Sequence, residues 1–433
     1  MKLSPGFQAV LGNTAWLMGD RLVRMGLGVI VGVWVARYLG PDRFGLLNFA
    51  VSFVALFTTL TTLGLDNVVV VEIVRDGTAA AEILGTALGL RLAASIFAPL
   101  VAIIAAQLVQ PDDAEARFLV GLLSIGLIFQ AFDTIDSYFQ SQVKAKFPVL
   151  AKNTAFLLIA GARVLLVVHR APVWSFAFAQ VCEYALAAAG LVLLYRWTRG
   201  HFPGIRIRWQ RAVELLKQSW PVVLSGMAIM IYMRVDTVML KVMQGDRAAG
   251  LYAAATRVSE VWYFIPTAIV SSVMPGIIRV RSEPLRYYAR IQRLFSLMSA
   301  ISLSIGSAVA LCSYEIIHVL YASAYDDAAP VLAVHIWASV FVFLGTAQAP
   351  WDFSERLLKL GFYRTAAGAV SNVLLNLVLI PRYSALGAAV ATVLSYAVAS
   401  VFANLLSART RPILVMQLKS FLLKGLWRPE RAD

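Results

Sequence analysis

The chain has 433 residues, of which 60% are hydrophobic and only 14% charged, and its mean hydropathy is +0.74. Those values lie far outside the range of soluble globular domains and mark an integral membrane protein. The formal net charge of +14 gives no support to nucleic-acid binding, because the basic residues gather in the loops on one side of the membrane.

Apolar runs of about 20 residues, each able to cross roughly 30 Å of hydrocarbon as a helix, recur along the chain. The first six fall at 14–37, 45–66, 83–109, 117–140, 151–169 and 173–195. A hydrophilic stretch follows, and then six more at 218–242, 251–277, 294–318, 329–350, 362–381 and 385–408. The expected fold class is an all-α polytopic membrane protein with about twelve transmembrane helices. The first run is too long for a signal-peptide core and is followed by no small-residue cleavage site, so it is read as a retained helix. Cys182 and Cys312 both lie inside spans, which suits small buried side chains better than a disulfide or zinc site. The four histidines are scattered near span ends with no metal spacing.

Orientation follows from lysine and arginine in the short loops. A cytoplasmic N-terminus places Lys144, Lys146, Lys152, the runs 196–217 and 279–293, Arg356, Lys359, Arg364 and the tail from Arg409 on the same side. About 25 basic residues then lie on that side against about seven opposite, as the positive-inside rule requires. Both termini are expected in the cytoplasm, with anionic membrane lipids facing the basic leaflet side.

The longest hydrophilic connector begins at Arg196 and sits at the midpoint, which divides the chain into 1–196, a connector at 197–217, 218–408 and a basic amphipathic tail at 409–433. The tail is expected to lie on the membrane surface. Internal repeats support two halves. "GPDRFGLLNFA" from Gly40 aligns with "GDRAAGLYAAA" from Gly245, and "RAPVWSFAFAQVCEYALAA" from Arg170 aligns with "RYSALGAAVATVLSYAVAS" from Arg382. Their offsets differ by only about two helical turns. Six helices per half is an even number, so the repeat is expected to be parallel, related by an axis along the membrane normal, with a site near mid-membrane.

Charges inside the spans point to that site. Arg21, Arg24, Arg91, Arg163, Arg234 and Arg257 remain after the loops are assigned, and together they oppose insertion by roughly 15–20 kcal/mol. Asp20, Asp133, Glu183, Asp236 and Glu260 accompany them, with Asp66 and Asp136 nearer the surface. Asp20 and Arg24 are four apart and Arg257 and Glu260 three apart, so each pair shares a helix face. Arg234 and Asp236 do not, because two residues turn a helix by about 200°. Arg21 is close enough to the surface to snorkel, and Arg163 is readable as a structural partner of Glu183 or Asp133. Asp236 and Glu260 are readable either as counter-ions or as carriers of a coupling ion or proton. Pro221, Pro266, Pro275 and Pro350 are candidate bending points or static kinks.

Four segments carry a resemblance to a known family: "VARYLGPDRFGLLNFAVSF", "RVDTVMLKVMQGDRAAGLYAAATRVSE", "YASAYDDAAPVL" and "SNVLLNLVLIPRYSALGAAVATVLSY". In order and spacing they resemble the polysaccharide flippases, the O-antigen and capsule repeat-unit translocases of the multidrug/oligosaccharidyl-lipid/polysaccharide exporter superfamily. The resemblance spans essentially the whole chain. It implies two six-helix lobes forming a V that works by alternating access. The implied cargo is an undecaprenyl-diphosphate-linked oligosaccharide moved to the outer leaflet of a bacterial inner membrane. Related lipid II flippases also show an Arg followed three residues later by Glu in helix eight, similar to Arg257 and Glu260, and a helix-one cavity arginine that Arg24 resembles. They usually carry two extra C-terminal helices.

Guanidinium groups form short bidentate bonds to a diphosphate, so Arg24, Arg91, Arg234 and Arg257 are the expected diphosphate contacts. Asp20, Asp236 and Glu260 are the expected counter-ions or coupling groups, and Asn153, Gln180, Tyr232, Asn372 and Asn376 the expected sugar contacts. A cation-coupled drug antiporter would want acids dominating the cleft, and a lipid II flippase would differ only in cargo. A membrane-embedded polymerase or ligase would want a large external loop. No nucleotide-binding loop is present, and no cofactor, metal or catalytic residue is expected. A polymerase or ligase partner fits the implied pathway, and two lobes in one chain make a monomer sufficient.

Overall fold

A computed structural model describes the backbone of residues 5–199 and 208–423; apart from Trp16 and Gly19, its side chains are described from Val23 onward, Arg199 and Leu358 excepted. The chain divides into two compact units at Met230/Ile231.

In the first unit, α1 (Pro5–Ala55) is two helices meeting at Gly40, whose φ of 69° and ψ of 170° interrupt the ladder just before Pro41. Proline needs no amide donor at a helix start, so Gly-Pro ends one span and opens the next. The second span continues through α2 (Thr58–Thr62) and α3 (Leu65–Arg75) across left-handed Leu63 and Gly64. A side chain at Gly64 would come within 3.0 Å of Val222 and of the Val223 amide, so glycine is required there by conformation and by close approach. Next come α4 (Ala80–Val109), α5 (Ala114–Gln130) and α6 (Thr134–Ser141), the last two separated by a 3₁₀ turn at Ala131–Asp133. The six-span set closes with α7 (Lys146–Val168) and α8 (Val173–Arg199).

Leu65, Val69, Ile83, Ile135, Phe139 and Leu191 pack between these helices. Ile96, Phe97, Leu100, Ile104 and Leu108 leave α4 on one exposed stripe, 53–78% accessible. An apolar stripe with no protein partner is the face a membrane helix turns to lipid.

The seventh span, α9 (Trp209–Gln244), begins in the first unit. Arg208 and Arg211 bridge to Glu82, Arg211 also approaches Glu72, and a side chain at Gly226 would meet Thr59 at 2.7 Å. The division therefore falls inside this helix rather than in the expected 197–217 connector, of which 200–207 lie outside the described residues.

The second unit continues with α10 (Asp246–Glu260), a 3₁₀ turn at Val261–Tyr263 and α11 (Phe264–Arg279). Pro266 lies in the first turn of α11, where the missing amide donor leaves the preceding ladder broken. Then follow α12 (Pro284–Leu311), α13 (Ser313–Tyr321), α14 (Ala329–His335) and α15 (Ala338–Ser354). The long α16 (Leu358–Ser400) breaks at Ser384, φ 50° and ψ −132°. Its core joins Phe295, Met298, Phe343, Leu344 and Trp351.

Among the described residues, nine helices are long and apolar enough to cross a membrane, and the pair Ser323–His335 and Ala338–Ser354, bent by 41°, makes a tenth. Two of the nine, Val23–Arg75 and Lys359–Leu406, have 53 and 48 residues, each twice the length that a bilayer requires and each interrupted, at Gly40 and Ser384. Counting each as two spans recovers the twelve-helix, multi-pass arrangement. The repeat is visible in the backbone. Gly245, φ 85° and ψ −176°, repeats the conformation of its sequence counterpart Gly40, and the break at Ala131–Asp133 in the fourth span has its counterpart at Ile336–Trp337 in the tenth.

The tail departs from expectation. Within α17 (Arg411–Ser420), Ile413, Gln417 and Ser420 are fully buried. Gln417 donates to Gln348 Oε1 at 3.2 Å and to the Ser400 carbonyl at 3.0 Å, and accepts from Asn404 at 3.1 Å. Ser420 meets Ser299 at 2.7 Å. This helix is therefore bound into the unit and does not lie free on the membrane surface, because its buried face carries polar groups matched to donors and acceptors waiting inside. Residues 424–433 lie outside the described residues.

Candidate functional site

In the first unit a cavity of about 200 Å³ is walled by Arg24, Gln130, Asp133, Lys152, Glu183 and Tyr184. Spacing explains the convergence: Lys152, Phe156 and Arg163 recur at helical intervals on α7, and Gln180, Glu183 and Tyr184 share a face of α8. Arg24 Nε donates to Asn153 Oδ1 at 3.1 Å, and its guanidinium carbon stands 5.4 Å from the Phe156 ring centre. Lys152 Nζ lies 2.7 Å from Asp133 and 2.6 Å from Asp136. Arg163 donates to Gln180 at 2.7 Å and to Glu183 at 3.0 Å. The two partners considered for Arg163 thus resolve to Glu183, while Asp133 serves Lys152.

Arg24, Asn153 and Gln180 are brought into one polar cluster, to which the structure adds Lys152, Asp133, Gln130 and Tyr184. Sequence reasoning missed Lys152 because counting from the loop placed it on the surface. The available signal was Gln180, Glu183 and Tyr184 at three and four residue intervals inside an otherwise apolar span.

Arg91 is elsewhere. It is fully buried and donates from Nε to the Thr62 carbonyl at 3.0 Å, from Nη1 to Thr134 at 3.3 Å and from Nη2 to Asp66. Its guanidinium bolts the break in the second span to the break in the fourth, so it belongs to the packing of the unit and is set apart from the expected phosphate contacts. Its position inside an apolar span set it among those contacts in the sequence, but azimuth decides what a side chain faces. The Asp20 side chain lies outside the described residues.

In the second unit, Arg234 and Glu260 are half-buried and face each other electrostatically, with Arg257 also acting on Glu260. Among the described residues Arg234 and Glu260 make no hydrogen bond or ion pair at contact distance. Tyr232 stacks on Tyr396 at 4.1 Å between ring centres, which gives this region an aromatic wall beside its charges.

Asp236 forms a separate buried centre. Its carboxylate accepts from Tyr252 at 2.7 Å, from Thr392 at 2.7 Å and from Asn376. Asn376 also donates to Asn372 Oδ1 at 3.2 Å, and Asn372 donates to Ser395 at 3.3 Å. Asn372 and Asn376 are fully buried, so they attend Asp236 and offer no face to a sugar. Among the described residues Asp236 likewise contacts no arginine. The Asn376 Oδ1 is buried without a hydrogen-bond partner. A buried carboxylate held by neutral donors, with an orphaned amide oxygen beside it, is an environment suited to a proton or a monovalent cation.

Residues 34–330 match the model of a family described as polysaccharide biosynthesis protein. The chain belongs to that family. A curated relative, "Probable flippase AglR" of Haloferax volcanii, is 27% identical over 191 residues, 42% of this chain and 39% of its own length, so the chain aligns to well under half of that protein. Among solved structures, "Lipid II flippase MurJ, inward closed conformation" matches at a TM-score of 0.75 and 14% identity, covering 95% of this chain and 91% of that one. An inward-facing multidrug resistance MATE transporter of the MOP superfamily matches at 0.69 and 15%, covering 94% and 96%. A further MOP superfamily transporter from Pyrococcus furiosus matches at 0.59 and 15%, covering 99% and 100%. The polysaccharide biosynthesis family member therefore has the fold of these proteins.

Proposed function

We propose that the protein is a flippase that moves an undecaprenyl-diphosphate-linked oligosaccharide repeat unit from the cytoplasmic to the outer leaflet of a bacterial inner membrane. Both termini would be cytoplasmic. Family membership supports the pathway, and one observation supports the chemistry: among the described residues Arg234, half-buried in a membrane span, makes no hydrogen bond or ion pair at contact distance, and Glu260 acts on it only at longer range. An arginine that costs about 2.5–3.5 kcal/mol to insert and is balanced only at a distance keeps its guanidinium donors open to an anionic ligand.

Arg24 in the first unit, and Arg234 and Arg257 in the second, would each bind the diphosphate through charge-assisted bonds. Asn153, Gln180 and Tyr232 remain as sugar contacts, with Tyr232 and Tyr396 offering a flat stacked surface. Glu260 competes with phosphate for the arginines and so helps release it. The Asp236 centre carries the coupling ion: Asp236, Asn372, Asn376 and Thr392 would hold it, and its charge would let the carboxylate stay ionised in hydrocarbon. A polymerase or ligase would take the exported unit, and one chain suffices for transport.

Native mass spectrometry of the purified protein with an undecaprenyl-diphosphate oligosaccharide tests the reading. Arg24→Ala, Arg234→Ala and Arg257→Ala should each lose about 1.5–3 kcal/mol, more than tenfold in affinity. Equal binding by wild type and all three variants would overturn it. The Asp236 centre favours a second reading, a cation-coupled antiporter of the same fold, which predicts loss of transport in Asp236→Asn with no lipid-linked sugar bound by the wild type.

A further inference from the structure

The loop between α15 and α16 and the link between α16 and α17 surround an open cavity of about 880 Å³ in the second unit. Arg356, Lys359 and Arg409 stand on its walls beside Phe353, Leu357 and Leu360, and among the described residues no carboxylate lines it. The three cations are exposed and, among the described residues, none of their side chains makes a hydrogen bond or ion pair. The nearest acids in sequence are already engaged: Asp352 by Arg364, and Glu355 by Arg281 at 3.4 Å.

Two backbone features add to the positive field. Arg356 has a φ of 56°, a left-handed helix end that ordinarily selects glycine, and an arginine retained in that conformation points from outlier to role. Immediately after it, α16 starts with Leu357 as a cap residue that offers its first-turn amides no side-chain acceptor. Those amides form the positive end of the first stretch of α16, which runs unbroken to the kink at Ser384.

The other walls decide between ligands. A free inorganic anion gains nothing from Phe353, Leu357 and Leu360, whereas an amphiphile does. Phe353 is 57% exposed, and Phe402, Leu405 and Leu406 nearby in the chain are exposed by half or more. We propose that this cavity binds the headgroup phosphate of an anionic phospholipid, with the acyl chains along the exposed apolar side chains beside Phe353. The site is separate from the residues assigned to cargo and does not rest on the flippase reading.

The test uses the purified full chain and native mass spectrometry with phosphatidylglycerol, with phosphatidylcholine, undecaprenyl phosphate and inorganic phosphate as comparison ligands. The triple variant Arg356→Ala/Lys359→Ala/Arg409→Ala should bind phosphatidylglycerol about tenfold more weakly or less. The variant Arg356→Lys/Arg409→Lys keeps the charge and should bind within about threefold of wild type. Phosphatidylcholine should bind both weakly. Unchanged phosphatidylglycerol binding by the triple variant, or equal binding of phosphatidylcholine by wild type, would overturn the proposal. So would displacement of phosphatidylglycerol by millimolar inorganic phosphate, which would make this a free-anion site, or by undecaprenyl phosphate at lower concentration, which would give it to the carrier lipid.

Discussion

Replacing Arg91 with methionine separates a structural arginine from a ligand-binding one. Methionine keeps most of the buried stem and removes three donated bonds, to the Thr62 carbonyl, the Thr134 hydroxyl and Asp66. The Asp66 side chain is 55% exposed, so water recovers most of that ion pair and its loss costs under about 1 kcal/mol. The Thr62 carbonyl sits where Leu63 and Gly64 already interrupt the helical ladder, and stripping its donor costs about 1–3 kcal/mol. With the Thr134 bond the expected loss is roughly 2–4 kcal/mol, or several degrees in Tm for a unit of this size. Thermal unfolding in detergent reads the stability, and lipid binding per folded molecule is measured on the same sample. Arg91→Met should unfold earlier and bind lipid-linked oligosaccharide as wild type does. Unchanged Tm with binding lost would refute the reasoning and return Arg91 to the phosphate site.

Other outcomes follow from particular contacts. Gly387→Ala would place a methyl 2.3 Å from the Leu379 carbonyl, so it should open the turn between the last two spans and cost about 1–3 kcal/mol in unfolding measurements. Gly40→Ala forces a side chain into φ 69°, ψ 170° and should cost a similar 1–3 kcal/mol or so, with Gly245→Ala equivalent. Gln417→Ala leaves Gln348 and Asn404 short of partners and should release α17 to proteolysis before the rest of the unit unfolds. Asp76 lies in a loop, where the Thr78 hydroxyl and then the Ala79 amide hold its carboxyl below the ordinary carboxylate range. The turn it caps is therefore stabilised at neutral pH and loosens as pH falls through that lowered value. Hydrogen exchange at residues 77–80 should show this, and Asp76→Asn should remove the pH dependence.

The spans were legible because hydrocarbon leaves a chain no alternative to closed helices. The Gly40 and Gly245 pair was legible because only glycine adopts such backbone cheaply. Charge narrowed the partner of Arg163 to Glu183 or Asp133, and the structure chose Glu183. What stayed hidden was azimuth: Arg91, Asn372 and Asn376 were placed in the right spans, but a place in a span does not reveal which neighbour a side chain meets. The amphipathic pattern of 411–420 is the same whether a helix floats on lipid or docks into protein, and buried partners such as Gln348 and Asn404 are remote in sequence. The seventh span reads as uniform, so nothing in it marks the change of allegiance at Met230.

The contact between Arg163 on α7 and Glu183 on α8, at 3.0 Å, bears on biosynthesis. Each residue alone makes its segment reluctant to leave the translocation channel for lipid, by about 2.5–3.5 kcal/mol for a central charge. Joined by the short link after Val168, the two segments present to lipid a hairpin whose charges already satisfy each other. The fifth segment should therefore wait in the channel for the sixth and partition with it as one unit, and the ion pair of the finished form is what that order leaves behind.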